Sequence, residues 1–171
     1  MRALFAAIAL VAAGAALAHG PTRQKVTESV AINAPVDAVW EKVKNFDALQ
    51  TWHPAVESST TTDGNNVGSL RTLKLKDGGQ IVEILEGYDA AEHKYNYRMK
   101  DPGPVPVNNY TSTITVKPGE SGGSVVEWRG AFYRAYPNND PPPEKNDEAA
   151  VKAVTGIYRA GLDNLAKQFA K

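Results

Sequence analysis

Apolar and polar positions change period three times along this chain. Gln24 to Ile32 alternates in part, through Val26, Ser29 or Val30, and Ile32, and reads as a strand. Asn33-Ala34-Pro35 then marks a helix start, with a capping residue followed by proline in the first turn. Val36, Val39, Trp40 and Val43 follow at helical spacing. Phe46, Leu49 and Trp52 fit a second short turn or helix that Pro54 ends.

From Ala55 the period becomes that of strands. Val56 to Thr62 is rich in β-branched residues, and Asp63-Gly64-Asn65-Asn66 turns the chain. Leu70 to Leu75 is the next strand, and Asp77-Gly78-Gly79 is a hairpin signal. Ile81 to Tyr88, His93 to Met99, Tyr110 to Val116 and Ser124 to Arg134 complete the run, each bounded by Gly, Pro, Asn or Asp. Neighbours in sequence usually pair, so a meander of hairpins is the economical topology. In the last strand Val126, Trp128, Gly130 and Phe132 fall on one face, expected to meet the core, and Glu127, Arg129 and Tyr133 on the other. Helical spacing returns in Val151, Val154, Tyr158, Leu162, Leu165 and Phe169, one apolar stripe. The order predicts an α+β domain: a curved antiparallel sheet wrapped around a long C-terminal helix, with an internal cavity between them.

The first eighteen residues read as an address rather than as structure. Arg2 precedes the apolar run Leu4–Leu17, and Ala16-Leu17-Ala18 fits signal-peptidase cleavage. The run is shorter than the ~20 residues of a membrane span. A signal peptide over 1–18 and a single domain over 19–171 are expected, with export to the periplasm and no membrane association after cleavage. The 19 basic side chains balance 19 acidic ones, which argues against nucleic acid. With no cysteine, neither a disulfide framework nor thiolate chemistry is available.

Motifs for covalent or metal chemistry do not appear. No serine sits in a nucleophile elbow. His19, His53 and His93 lack metal-ligand spacing, and the glycine pairs belong to hairpin turns rather than to a phosphate loop. No cofactor is expected. Cleavage after Ala18 would leave His19 as the N-terminus, where its amine and imidazole form a conceivable copper chelate; a leader without structure is the plainer reading. Asp101-Pro102-Gly103-Pro104-Val105-Pro106-Val107 is a proline-stiffened loop between strands, and Pro137–Pro143 is a connector.

In this order, several short motifs resemble the START-like, polyketide cyclase-like superfamily of helix-grip folds. They are Ala34-Pro35-Val36-Asp37-Ala38-Val39-Trp40, Asp47 to Val56, Gly68-Ser69-Leu70-Arg71, Val82 to Asp89, and His93-Lys94-Tyr95-Asn96-Tyr97. Together they cover nearly the whole of 19–171. With the export signal, the chain looks most like the periplasmic accessory proteins of bacterial methanol oxidation. That resemblance implies a helper of methanol dehydrogenase and its cytochrome as partners.

The resemblance also places candidate residues. In the hormone-receptor branch, the position of His53 carries a polar residue that reaches into the pocket; Glu83 and Tyr110 match two further pocket positions. Trp128 and Tyr158, facing inward from the last strand and the closing helix, complete the set. Each has a plainer alternative: His53 as a helix-end histidine bonded to backbone, Glu83 as a solvated carboxylate beside inward Val82 and Ile84, Tyr110 as an edge-of-core tyrosine. Two function classes follow. One is a non-enzymatic binding or accessory module, with or without a small hydrophobic ligand. The other is a cyclase/dehydratase-type enzyme using Glu83, His53 or Tyr110 as acid and base; a lipid or small-molecule carrier is a variant of the first.

Overall fold

A computed structural model describes residues 20–170. The expected leader, its cleavage site and His19 lie outside the described residues. Strand β1 (Gln24–Ile32) is followed by helix α1 (Val36–Val43) and a single 3-10 turn at Leu49–Thr51. Six strands succeed it: β2 (Val56–Thr61), β3 (Leu70–Leu75), β4 (Gln80–Asp89), β5 (Lys94–Asp101), β6 (Val107–Pro118) and β7 (Ser124–Arg134). Helix α2 (Asp147–Phe169) closes the described chain.

The strands form one antiparallel sheet in the order β1-β7-β6-β5-β4-β3-β2. The meander runs from β2 to β7, and β1 adds to its far edge. Bulges interrupt the ladders at Val56/Ser58, Val82/Glu83, Leu85/Gly87 and Asn108/Thr111. Each inserts a residue on one strand and bends it, which supplies the curvature that lets the sheet fold around a helix.

Several strand ends shift by one or two residues from the sequence reading, and three differences have a structural cause. Pro35, not Asn33, occupies the position before α1, and no side chain caps that helix; Asn33 falls two residues before the capping position. His93 lies in the β4–β5 turn with φ 47° rather than in a strand. Strand β6 starts three residues before Tyr110, because a bulge through Asn108 and Asn109 (φ 49°) carries pairing across a stretch with no alternation. The proline-rich loop shrinks accordingly to residues 102–106.

Helix α2 docks on β1 and β7 through the stripe read from sequence. Val154, Tyr158, Leu162 and Leu165 are buried, as are Val126, Trp128 and Phe132 opposite. Gly130 completes the inward face of β7 for a steric reason: a Cβ there would lie 2.2 Å from the Tyr158 hydroxyl. Asn146 caps α2, its side chain accepting from the Ala149 amide at 2.8 Å. Arg134 fixes the proline-rich connector just before it, donating to Tyr136 O (3.0 Å), Asn138 O (2.9 Å) and Asp147 Oδ1 (2.9 Å). The connector is thus anchored to the end of β7 and the start of α2.

Leu162 is fully buried, so Leu162→Ala should cost about 2–5 kcal/mol in chemical denaturation. Lys152→Ala, on the exposed side of the same helix, should stay within about 0.5 kcal/mol of the parent. Equal effects for the two would contradict this docking of α2.

Candidate functional site

Between α2 and the concave face of the sheet lies a cavity of about 100 Å³, bordered by apolar side chains of β2 to β5 and α2 with a few polar groups among them. Val105, from the proline-rich loop, is part of its wall. Beside it the β3–β4 turn touches that loop: a Cβ on Gly79 would sit 3.3 Å from the Pro104 ring. Gly103, at φ +54°, passes so close to Gln80 that a Cβ would lie 2.0 Å from its carbonyl oxygen. Glycine is required at this crossing, which brings the two loops together beside the cavity. A wider trough of about 630 Å³ lies on the outer face among Lys25, Thr27, Lys94, Thr113 and Arg129. It is open to solvent and lacks the enclosure typical of small-molecule sites.

All five residues singled out from sequence, His53, Glu83, Tyr110, Trp128 and Tyr158, border the cavity between α2 and the sheet. Their alternation decides this for Glu83: Ile81, Glu83 and Leu85 are buried on β4, while Val82 and Ile84 are only partly so. His53 fits both of its readings at once. It borders the cavity, yet Nε2 donates to Ile157 O (3.0 Å) and Nδ1 accepts from the Ala55 amide (3.2 Å). Both ring nitrogens are spent on backbone, which defines the neutral Nε2-protonated tautomer. Burial holds the His53 imidazole below its usual pKa, and the Arg71 charge acts in the same direction.

Glu83 does not stand alone. Arg71, directly opposite it in the β3–β4 register, donates from Nε to Oε2 at 2.7 Å, and its Nη2 lies 2.6 Å from the same oxygen. Nη1 donates to Phe46 O at 2.7 Å. The guanidinium also lies against the Phe46 and Tyr97 rings, 4.0 and 4.8 Å from their centroids. Burial pushes the Glu83 carboxyl above its usual value while Arg71 draws it down. Burial likewise opposes the Arg71 charge, and Glu83 together with Tyr95 and Tyr97 offsets that, leaving Arg71 above its usual value. A guanidinium this buried needs a counter-charge, so the pair is ionised at neutral pH.

A second polar cluster runs from β6 to α2. Ser112 Oγ donates to Arg129 O (2.9 Å) and accepts from Trp128 Nε1 (2.9 Å). Its oxygen lies 3.0 Å from the Tyr158 hydroxyl, which also contacts the Tyr110 hydroxyl. Trp128 Nε1 reaches the Tyr97 hydroxyl as well, at 3.1 Å, and Trp128 stacks on Tyr158 with centroids 4.4 Å apart. Burial pushes the Tyr97, Tyr110 and Tyr158 phenols upward, so all three are protonated at neutral pH. Among the described residues no group of three or more His, Asp or Glu side chains is placed to hold a metal ion.

Arg71, Tyr97 and Ser112 are the site residues that the sequence reading passed over as site groups. A signal for Arg71 existed: Thr72 and Lys74 take the outer face of β3, which turns Arg71 inward with Leu73. The Asp77-Gly78-Gly79 hairpin then sets it opposite Glu83. Ser112 had no such signal, because its role depends on where Trp128 and Tyr158 arrive from distant parts of the chain.

Two predictions follow from these contacts. Arg71→Met or Glu83→Leu alone should cost about 3–5 kcal/mol, since each strands a buried charge, whereas the double change should recover much of that loss. Additive losses would show that the two do not form a coupled pair. For His53, the folded pKa lies below the unfolded value of about 6.5, so the unfolded chain binds the extra proton first. Stability should therefore be full above about pH 6.5 and decline below it, by up to about 1.4 kcal/mol per pH unit from this one group. His53→Gln should flatten that decline in denaturation curves recorded between about pH 7 and 5, and an unchanged slope would remove His53 as its source.

Comparison with known proteins places this geometry. Abscisic acid receptor PYL10 of Arabidopsis thaliana is 33% identical over 144 residues, covering 79% of this chain and 73% of the receptor. Abscisic acid receptor PYL7 of the same plant is 34% identical over 103 residues, covering 56% of this chain and 48% of the receptor, so here the match spans about half of the relative. Among solved structures, protein XoxI from Bacillus cereus superposes with a TM-score of 0.74 at 35% identity, covering 85% of this chain and 94% of that one. A putative uncharacterized protein from Bacillus thuringiensis gives 0.75 at 36% identity, with 86% and 100% covered. The family model described as polyketide cyclase / dehydrase and lipid transport matches residues 23–170, and this chain belongs to that family.

Proposed function

We propose that this protein works as a small-molecule container that acts by binding rather than by turnover, exported to the periplasm as a helper of methanol oxidation. The observation that carries the binding reading is the commitment of the cavity's acid–base groups. His53 spends both nitrogens on backbone. Glu83 is tied to Arg71 at 2.7 Å. A general base must be able to take a proton from a substrate; His53 has no free nitrogen for it, and protonating Glu83 would strand the buried Arg71 charge that it balances. The names of the plant relatives, which are receptors, favour the same reading. The cyclase/dehydratase reading keeps the family name in its support.

The finer reading rests on the Ala16-Leu17-Ala18 cleavage motif and on the likeness to the MxaD type of accessory protein. The domain would then begin at His19. Methanol dehydrogenase and its cytochrome are the partners this reading names. With charges nearly balanced, association would depend on local patches rather than on long-range steering. The rigid loop at 102–106 and the connector at 137–143 are the surfaces best suited to it, because they lose little entropy on docking.

Two measurements test this. Xenon should enter the apolar cavity, as it does engineered cavities of about 150 Å³, and appear in a pressurised crystal between Ile81, Tyr110 and Ile157. In a reconstituted assay, adding the protein should raise electron transfer from methanol dehydrogenase to its cytochrome. No rate change at saturating protein, together with turnover of a carbonyl compound that Glu83→Gln abolishes, would reverse the reading in favour of an enzyme.

A further inference from the structure

We propose that the cavity takes a small neutral alcohol and rejects carboxylates, because the polar groups on its wall leave a hydrogen-bond acceptor and a single hydroxyl donor unused and offer no free cation. The inference rests on the container reading above and names the class of ligand.

The argument is an account of protons. Ser112 has one hydroxyl proton, and it goes to Arg129 O, so Ser112 only accepts from its other neighbours. Trp128 Nε1 is one of them. The contact between Ser112 and Tyr158 therefore needs the Tyr158 proton. Tyr158 then only accepts from Tyr110, so the Tyr110 proton is committed too. His53 has no spare donor, its Nε2 proton resting on Ile157 O.

Two capacities remain. Both contacts from Arg71 converge on Glu83 Oε2, and no described residue donates to Oε1. Tyr97 accepts from Trp128, and the neighbouring Ser112 Oγ already accepts from Trp128 and Tyr158, which leaves the Tyr97 hydroxyl proton for a ligand. Glu83 and Tyr97 both border the cavity. An alcohol matches them with one group, donating to Oε1 and accepting from Tyr97. A ketone uses only the second. A carboxylate would set a second negative charge against Glu83 in a low-dielectric site, where like charges repel strongly, and Arg71 is already neutralised. An acid of the kind that names the plant receptors meets no free cation on this wall.

Size narrows the class further. A cavity of about 150 Å³ holds benzene, with six heavy atoms. At about 100 Å³ the same proportion admits about four heavy atoms, which is a three-carbon alcohol. The rest of the wall is mainly aliphatic and aromatic, suited to the alkyl part.

The test is a set of NMR titrations of the folded protein at pH 7 with 1-propanol, acetone and propionate. 1-Propanol should give saturable shifts at Leu73, Val105, Tyr110 and Ile157 in the millimolar range, with acetone several-fold weaker and propionate without effect there. Glu83→Gln should uncover the Arg71 charge and let propionate bind at least as well as 1-propanol. Should that variant not fold, Tyr97→Phe carries the test, weakening 1-propanol several-fold and abolishing acetone binding. Propionate or acetone binding the parent as tightly as 1-propanol would overturn the inference and leave the container intact. So would the absence of cavity shifts from all three while xenon still enters; exclusion of xenon as well would remove the container reading with it.

Discussion

A guanidinium with 1% of its surface exposed governs what the concave face of this sheet can be. Buried charge is tolerated when it is paired and hydrogen-bonded, and Arg71 approaches that by recruiting from three places, although Nη2, close to Glu83 Oε2, makes no well-formed hydrogen bond. Glu83 supplies the counter-charge from the neighbouring strand, Phe46 O supplies an acceptor from the segment after α1, and the Phe46 and Tyr97 rings pack against it. The segment that links α1 to β2 is thereby fastened to the middle of the meander. Without that fastening, little in the local sequence would hold Phe46 against β5.

The same demand shapes the opposite side of the cavity. Tyr110, Ser112, Trp128 and Tyr158 satisfy one another, so hydroxyls and an indole N–H can stay buried without water. Networks of this kind rigidify a core when complete. The result is a small enclosed space whose wall is mostly apolar and whose polar groups are largely spent, with the exceptions at Glu83 Oε1 and Tyr97. For acid–base chemistry His53 has no free nitrogen, and a proton taken up by Glu83 would leave the Arg71 charge without its partner. Recognition needs only the few unspent capacities that remain.

The loops around the cavity follow from backbone constraints more than from side-chain chemistry. Gly103 lets the proline-rich loop cross the β3–β4 turn where a Cβ would collide with Gln80 O, and Gly79 fits tightly against Pro104. Pro104 and Val105 then supply contact and wall. A cavity bordered by two short stiff loops keeps its size, which ties the proposed ligand class to its volume.

Sequence by itself determined the order of elements, the meander and the docking face of α2. Those rest on period: the stripe through Val154, Tyr158, Leu162 and Leu165, and the alternation through Val126, Trp128 and Phe132, are local patterns with one structural solution. It also brought His53, Glu83, Tyr110, Trp128 and Tyr158 together, although for the first three through family likeness rather than through spacing. Tertiary structure alone decided what those residues do. The neutral state of His53 depends on Ile157 O, 104 positions away. The direction of the Tyr110 and Tyr158 protons depends on Ser112 and Arg129. Periodicity reports which face of an element is buried, but a hydrogen-bond partner is a matter of where distant elements arrive, and no local pattern encodes that.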